Sequence, residues 1–169
     1  NKIRRVHGGA ISLNPTSKAF SIDELSILCR DEKKHIAKKA YKYVDNNDAL
    51  LLDASTTVLE LAMLIAEGNK SGISILTNSF NVVSILHNKN DIKVFHTGGQ
   101  VGYNMNYSTG FITEKIIRDL RVDKCFIGTN GVDPIYGYSV STFEDASVKK
   151  CMLNASHQRF VLADHTKFG

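Results

Sequence analysis

"LLLDASTTVLELAMLIAEG", residues 50–68, decides the fold. Three consecutive leucines followed by Asp53 read as a strand buried on both faces and closed by a polar residue. Small hydroxyl residues follow, then apolar residues at helical spacing, and Gly68 marks the end. A strand passing through a short hinge into a helix is half of a βαβ unit. Ser55, Thr56 and Thr57 stand at the hinge, and two readings account for them. Serine and threonine are good helix N-caps. Alternatively, free amides and the positive end of the helix dipole make a helix start a place for an anion, and hydroxyls there suit a phosphate.

The same alternation continues outward from this stretch. It predicts strands at 49–53, 73–77, 92–96, 124–128 and 159–163, and helices at 56–67, 79–87, 109–121 and 143–156. "ALLLD", "ISILT", "IKVFH", "KCFIG" and "RFVLA" are short apolar runs without strict alternation, the mark of parallel strands covered on both sides. The expectation is an α/β layered fold, an open, mostly parallel sheet with helices on both faces and right-handed crossovers. Upstream, Asp31 is placed to cap "EKKHIAKKAYKYV", in which Ile36, Ala40, Tyr41 and Val44 form an apolar stripe and the lysines a solvated face. Residues 1–30 carry the turn signals Gly8-Gly9 and Asn14-Pro15 and little periodicity, so they read as a linker or arm with a short ordered segment around Phe20–Leu28.

Size and composition narrow the class. A chain of 169 residues with 43% hydrophobic content builds one domain with a substantial core. No apolar run reaches the length of a membrane span, and the leading residues lack the apolar core of a signal peptide, so a cytoplasmic protein without membrane contact is expected. Cys29, Cys125 and Cys151 are widely spaced, and the six histidines form no H-x-x-x-H or H-E-x-x-H group, so neither a disulfide framework nor a metal site is expected. The net charge of +4 is uneven: residues 1–39 hold nine Lys/Arg against four acids, the remainder twelve against thirteen. A basic leading end suits either a solvated tail or a nucleic-acid contact.

In open α/β sheets, ligands bind beyond the C-terminal ends of the strands. Those ends read "DASTT", "TNSF", "HTGGQVGYNMNYSTG", "GTNGVDPIYGYS" and "DHTKFG", all rich in small polar residues, and their convergence predicts a polar pocket. Lys149 and Lys167 are candidate cations for a phosphate, Lys149 being equally readable as an exposed helical lysine beside Lys150. "TGGQVG" lacks the spacing of a dinucleotide fingerprint, and no Walker loop is present. Asp53, Asp133, Glu144 and Asp164 form no recognisable nucleophile–base set, so no catalytic residues, and no cofactor, are assigned.

The ordered set of segments resembles the C-terminal effector-sensing domain of DeoR-type bacterial transcriptional regulators. The resemblance runs through "RRVHGGA" (4–10), "EKKHIAKKA" (32–40), "LLLDASTTVLELA" (50–62), "LTNSF" (76–80), "TGG" (97–99), "STGFIT" (108–113), "DKCFIGTNGVDPIYGYS" (123–139), "EDASVKKCML" (144–153) and "LADHTKFG" (162–169). It implies a fold shared with ribose-5-phosphate isomerase and the CoA transferases. It also implies a sensor at 31–169 for a phosphorylated sugar, an arm at 1–30 following a winged helix-turn-helix domain absent from these residues, operator DNA reached through that domain, and a homo-oligomer. Carried over by position, Ser55, Thr56 and Thr57 with the helix N-terminus would cradle the phosphate, with Asp53 at the strand end. Asn78, Gly99, Thr129, Asn130, Gly131 and Asp133 would line the sugar side, and Lys149 and Lys167 would add positive charge. Where the family has glycine this chain has Ser55, which would be strained if that position needs a positive φ. The alternative, a sugar-phosphate isomerase of the same fold, is weakened by "NGVD" at 130–133, where Asn130 replaces an acid, and by the missing K-G-G-G segment.

Overall fold

The computed structural model describes residues 3–6, 9–12, 27–103 and 105–168. Its centre is a five-stranded, wholly parallel sheet built from β3 (Ala49–Leu52), β4 (Ile73–Thr77), β5 (Ile92–His96), β8 (Val122–Gly128) and β11 (Ser156–Leu162), in the spatial order β11-β8-β3-β4-β5. The chain runs outward from β3 through β4 to β5, then crosses back to lay β8 on the other side of β3. The order therefore reverses between β3 and β8, in the middle of the sheet.

Helices cover both faces. Leu50 and Leu52 point into one core with α1 (Arg30–Tyr41), α2 (Thr56–Glu67) and α3 (Phe80–Leu86), through Ala37, Ala40, Val58, Leu61, Ile65, Val82 and Leu86. Leu51 points the other way, into a core with Ile117 of α4 (Gly110–Arg118) and Val148, Cys151 and Met152 of α5 (Phe143–Asn154). All three leucines are 0% exposed, as alternating Cβ directions require of a central strand packed on both sides.

Three details differ from the sequence expectations. Residues 1–30 were expected to be irregular, yet β1 (Ile3–Val6) and β2 (Gly9–Ser12) pair as an antiparallel hairpin with Val6 opposite Gly9; of the expected segment Phe20–Leu28, all but Ile27 and Leu28 lie outside the described residues. Asp31 does not cap α1. Cys29 holds the cap position in the left-handed region (φ 53°) with no side-chain cap bond, and Asp31 and Glu32 sit in the first turn, where acids complement the dipole. Nor is every lysine of α1 solvated, because Lys33 is buried and its ammonium donates to the Leu28 carbonyl at 2.8 Å. Short hairpins β6 (Gln100–Val101) with β7 (Ser108–Thr109), and β9 (Gly131–Asp133) with β10 (Gly137–Ser139), ornament the rim. No helix among the described residues is long and apolar enough to cross a membrane.

Candidate functional site

The C-terminal ends of β3 and β8 meet at the reversal of strand order, where a doubly wound sheet opens a crevice. Asp53 follows β3 directly and is only 2% exposed. One of its oxygens accepts the Ser55 amide at 2.9 Å; the other accepts the Gly128 amide at 2.8 Å and the Lys149 ammonium at 2.7 Å. Lys149 also donates to the Gly128 carbonyl at 2.9 Å and faces Asp145 at 3.7 Å. A carboxylate with three donors and a lysine with two acids satisfy each other's burial. Of the two readings of Lys149, the exposed helical lysine is therefore set aside: its side chain is 13% exposed and locks α5 to the tips of β3 and β8.

Burial alone would pull the Lys149 ammonium down, but Asp53 and then Asp145 outweigh it and hold the lysine above its ordinary value. Burial pushes the Asp145 carboxyl up, against Lys149's opposite pull. Tyr107 belongs to the same neighbourhood, its phenol raised by burial and by Asp145. Sequence reasoning missed Gly128, Asp145 and Tyr107. Gly128 was visible only as the end of a strand, and nothing local in sequence links it to Asp53, 75 positions away.

The three hydroxyls of the hinge divide their roles. Ser55 is the N-cap of α2, with φ −72°, and its Oγ accepts the Val58 amide at 3.3 Å. This ordinary extended backbone suits serine, so the strain anticipated at this position does not arise. The space across from it does require a glycine: a Cβ on Gly128 would lie 2.4 Å from Ser55 Cβ. Thr56 and Thr57 occupy the first helical positions, where amides have no intrahelical acceptor.

The remaining candidates sort by location. Thr129 stands beside this crevice with its Oγ1 2.8 Å from the carbonyls of both Gly131 and Ser139, which share its one hydroxyl proton; the Asn130 backbone amide donates to the Ser139 carbonyl, which anchors the β9–β10 hairpin. Asp133 accepts the amides of Ile135 and Tyr136 and so holds the hairpin's turn. Asn78 follows β4; its Nδ2 donates to the Ser108 carbonyl at 2.9 Å while its buried Oδ1 has no protein partner. Gly99 lies against α4 with φ 119°, where a Cβ would be 2.2 Å from Thr113 Oγ1 and 2.7 Å from the Thr109 carbonyl. Lys167 belongs to the short 3-10 turn His165–Lys167 after β11, and its charge acts on Cys29, Lys33 and Asp164. Two cavities lie away from the rim, one of about 290 Å³ between α1 and α2 and one of about 210 Å³ over the sheet at Leu76, Phe95 and Val122.

The sequence profile of the DeoR C terminal sensor domain matches residues 29–169. An uncharacterized HTH-type transcriptional regulator of Bacillus subtilis, YulB, is 34% identical over 169 residues, which are 100% of this chain and 64% of that protein. The HTH-type transcriptional repressor GlcR of the same organism is 31% identical over 169 residues, again 64% of its length. The lactose phosphotransferase system repressor of Staphylococcus epidermidis is 30% identical, covering 99% of this chain and 66% of that protein. The chain thus spans about two thirds of the length of these regulators.

Among solved structures, a D-ribose-5-phosphate isomerase in complex with phospho-erythronic acid superposes with a TM-score of 0.60 at 19% identity, over 83% of this chain and 54% of the isomerase. The delta subunit of eIF2B from Chaetomium thermophilum does so at 0.55 and 14% identity, over 81% of this chain and 48% of that one. At such identities the likeness is one of fold. The relatives by sequence are transcriptional regulators and not enzymes, and the chain belongs to the DeoR family, as its C-terminal sensor domain.

Proposed function

We propose that this sensor domain binds a phosphorylated sugar in the crevice between β3 and β8, with the phosphate on the first turn of α2. The observation that carries this reading is the division of labour at the hinge: Ser55 already caps α2, which leaves the hydroxyls and amides of Thr56 and Thr57 for a ligand. Beside them, Thr129, Asn130 and Gly131 offer polar groups to the sugar, and the buried Asn78, whose Oδ1 has no protein partner, backs the loop that follows β4. Gly99 and Asp133 contribute by shaping the flanking loops, Lys149 by holding Asp53 in place, and Lys167 by adding positive charge to the rim. Two comparisons support the ligand class: a relative is named as repressor of a lactose phosphotransferase system, and a fold neighbour carries phospho-erythronic acid.

The wider role follows as part of the same proposal. The intact regulator would reach operator DNA through an N-terminal helix-turn-helix domain, with residues 1–30 as the basic arm between the two, and would act in the cytoplasm as a homo-oligomer matched to a two-fold operator. The effector would bind one conformation or assembly better than another and so change operator affinity, by no more than its differential affinity for the two.

Thermal unfolding against a panel of sugar phosphates and the matching free sugars tests the ligand class. A rise in Tm with one sugar phosphate and none with its free sugar is expected; no rise with any of them overturns the reading.

A further inference from the structure

A second cluster of donor groups lies apart from the β3–β8 crevice. Cys29, the N-cap, and Glu32, in the first turn, are three residues apart at the start of α1. Asp164 and His165 follow β11, and the ligand atoms of all four residues lie within 4.8 Å of one another. His165 Nδ1 and Glu32 Oε2 are already 2.7 Å apart. Asp164 is buried, its Oδ1 held by the amide and hydroxyl of Thr166, so it is fixed before any ligand arrives. The exposed His165 and Glu32 and the partly exposed Cys29 leave an approach from solvent.

We propose that Cys29, Glu32, Asp164 and His165 form a binding site for a zinc-class divalent cation, which ties the start of α1 to the end of β11. One thiolate, one imidazole and two carboxylates are a borderline-soft set of four, the number and type that tetrahedral zinc takes. Bonds of about 2.0–2.3 Å put tetrahedral donors about 3.4 Å apart, so closing the site needs donor shifts of about 1 Å, within reach of side-chain rotation. Three anionic donors would overcompensate a dication. Lys33 and Lys167, whose charges act on both Cys29 and Asp164, offset the excess from outside the donor set. The spacing hides all this from sequence motifs, because the two halves of the site are separated by 133 positions.

The test is a cobalt(II) titration of the reduced, metal-stripped, untagged full chain, followed by zinc(II) competition. One equivalent of cobalt should give a thiolate charge-transfer band and intense tetrahedral visible bands, both bleached by zinc. Cys29→Ala should remove the charge-transfer band, and Glu32→Gln and His165→Ala, at exposed positions that leave the core untouched, should each weaken binding at least about tenfold. Circular dichroism of the metal-free variants controls for folding. Absence of the band in the folded wild-type chain, or its survival in Cys29→Ala with Cys125 and Cys151 still present, overturns the proposal. Neither outcome depends on a sugar phosphate being the effector.

Discussion

The ammonium of Lys149, on α5, reaches across to Asp53 at 2.7 Å and thereby joins the second face of the sheet to the switch point between β3 and β8. The pair is nearly out of water, so removing one partner leaves a buried charge without compensation. Lys149→Met is expected to cost about 3–5 kcal/mol, a drop of roughly 6–20 °C in Tm for a chain of this size. Asp53→Asn combined with Lys149→Met should recover part of that loss, because the most deeply buried carboxylate is then neutral and only Asp145, at 22% exposed, is left without the lysine. Urea denaturation of the two single variants and the double variant measures the coupling.

The same pair sets an alkaline limit. Lys149 is held above its ordinary value, so its contribution is fully present below the unfolded lysine pKa of about 10.4 and is lost as pH rises through the higher folded value. Lys124 behaves alike: burial pulls it down, but its bonds to Asp45 and Asp48, both 2.7 Å, outweigh this and raise it. Burial also raises Tyr107 and the Cys125 thiol, which adds to the fall in the same direction. Stability should therefore decline at strongly alkaline pH, and the decline should be shallower in Lys149→Met. Equal slopes in denaturation series across that range would refute the assignment.

Much of this was legible in sequence because it is local. The runs "ALLLD" and "ISILT" announce buried parallel strands whatever their neighbours, and the rim loops follow from the strand ends. What was not legible depends on who sits next to whom. The reversal of strand order places Gly128 against Ser55, and no local pattern encodes that; nor does local pattern decide between solvent and Asp53 for Lys149. The β1–β2 pair escaped because "IRRV" and "GAIS" carry no continuous apolar run of the kind that marks the core strands.

The contact between Gly128 and Ser55 gives a cycle with a defined sign. Gly128→Ala pushes a methyl to 2.4 Å from Ser55 Cβ, an overpacking expected to cost about 1–3 kcal/mol. Ser55→Gly removes the obstruction and, as a cap, costs only a few tenths of a kcal/mol. The double variant should be more stable than Gly128→Ala alone, as measured by chemical denaturation; strict additivity would show that the two positions do not touch.

Gly99 should resist the same kind of rescue. At φ 119° a side chain is strained, and its Cβ would meet both the Thr113 hydroxyl and the Thr109 carbonyl. Thr113→Ala clears only the first, and it gives up that hydroxyl's bond to the Gly98 carbonyl at 2.6 Å. Gly99→Ala is expected to cost about 1–3 kcal/mol, with no recovery when Thr113→Ala is added. Recovery in thermal unfolding would mean that the backbone is free to move there.

Thr56 separates a ligand role from a structural one. Ser55 supplies the cap, so Thr56→Val, nearly isosteric, leaves the bond to the Val58 amide in place and should change the unliganded Tm by little. A sugar phosphate at 100 times its Kd stabilises the folded state by about 2.7 kcal/mol, a rise of roughly 5–11 °C. Losing a hydroxyl bond to a charged phosphate costs about 1.5–3 kcal/mol, enough to weaken binding by roughly 10- to 150-fold and remove about half to nine-tenths of that rise. Ser55→Ala should do the reverse, lowering the unliganded Tm through loss of about 1 kcal/mol of capping while keeping the ligand-induced shift. If instead Thr56→Val lowers the unliganded Tm and keeps the full shift, then Thr56 is part of the scaffold and the phosphate sits elsewhere on the rim.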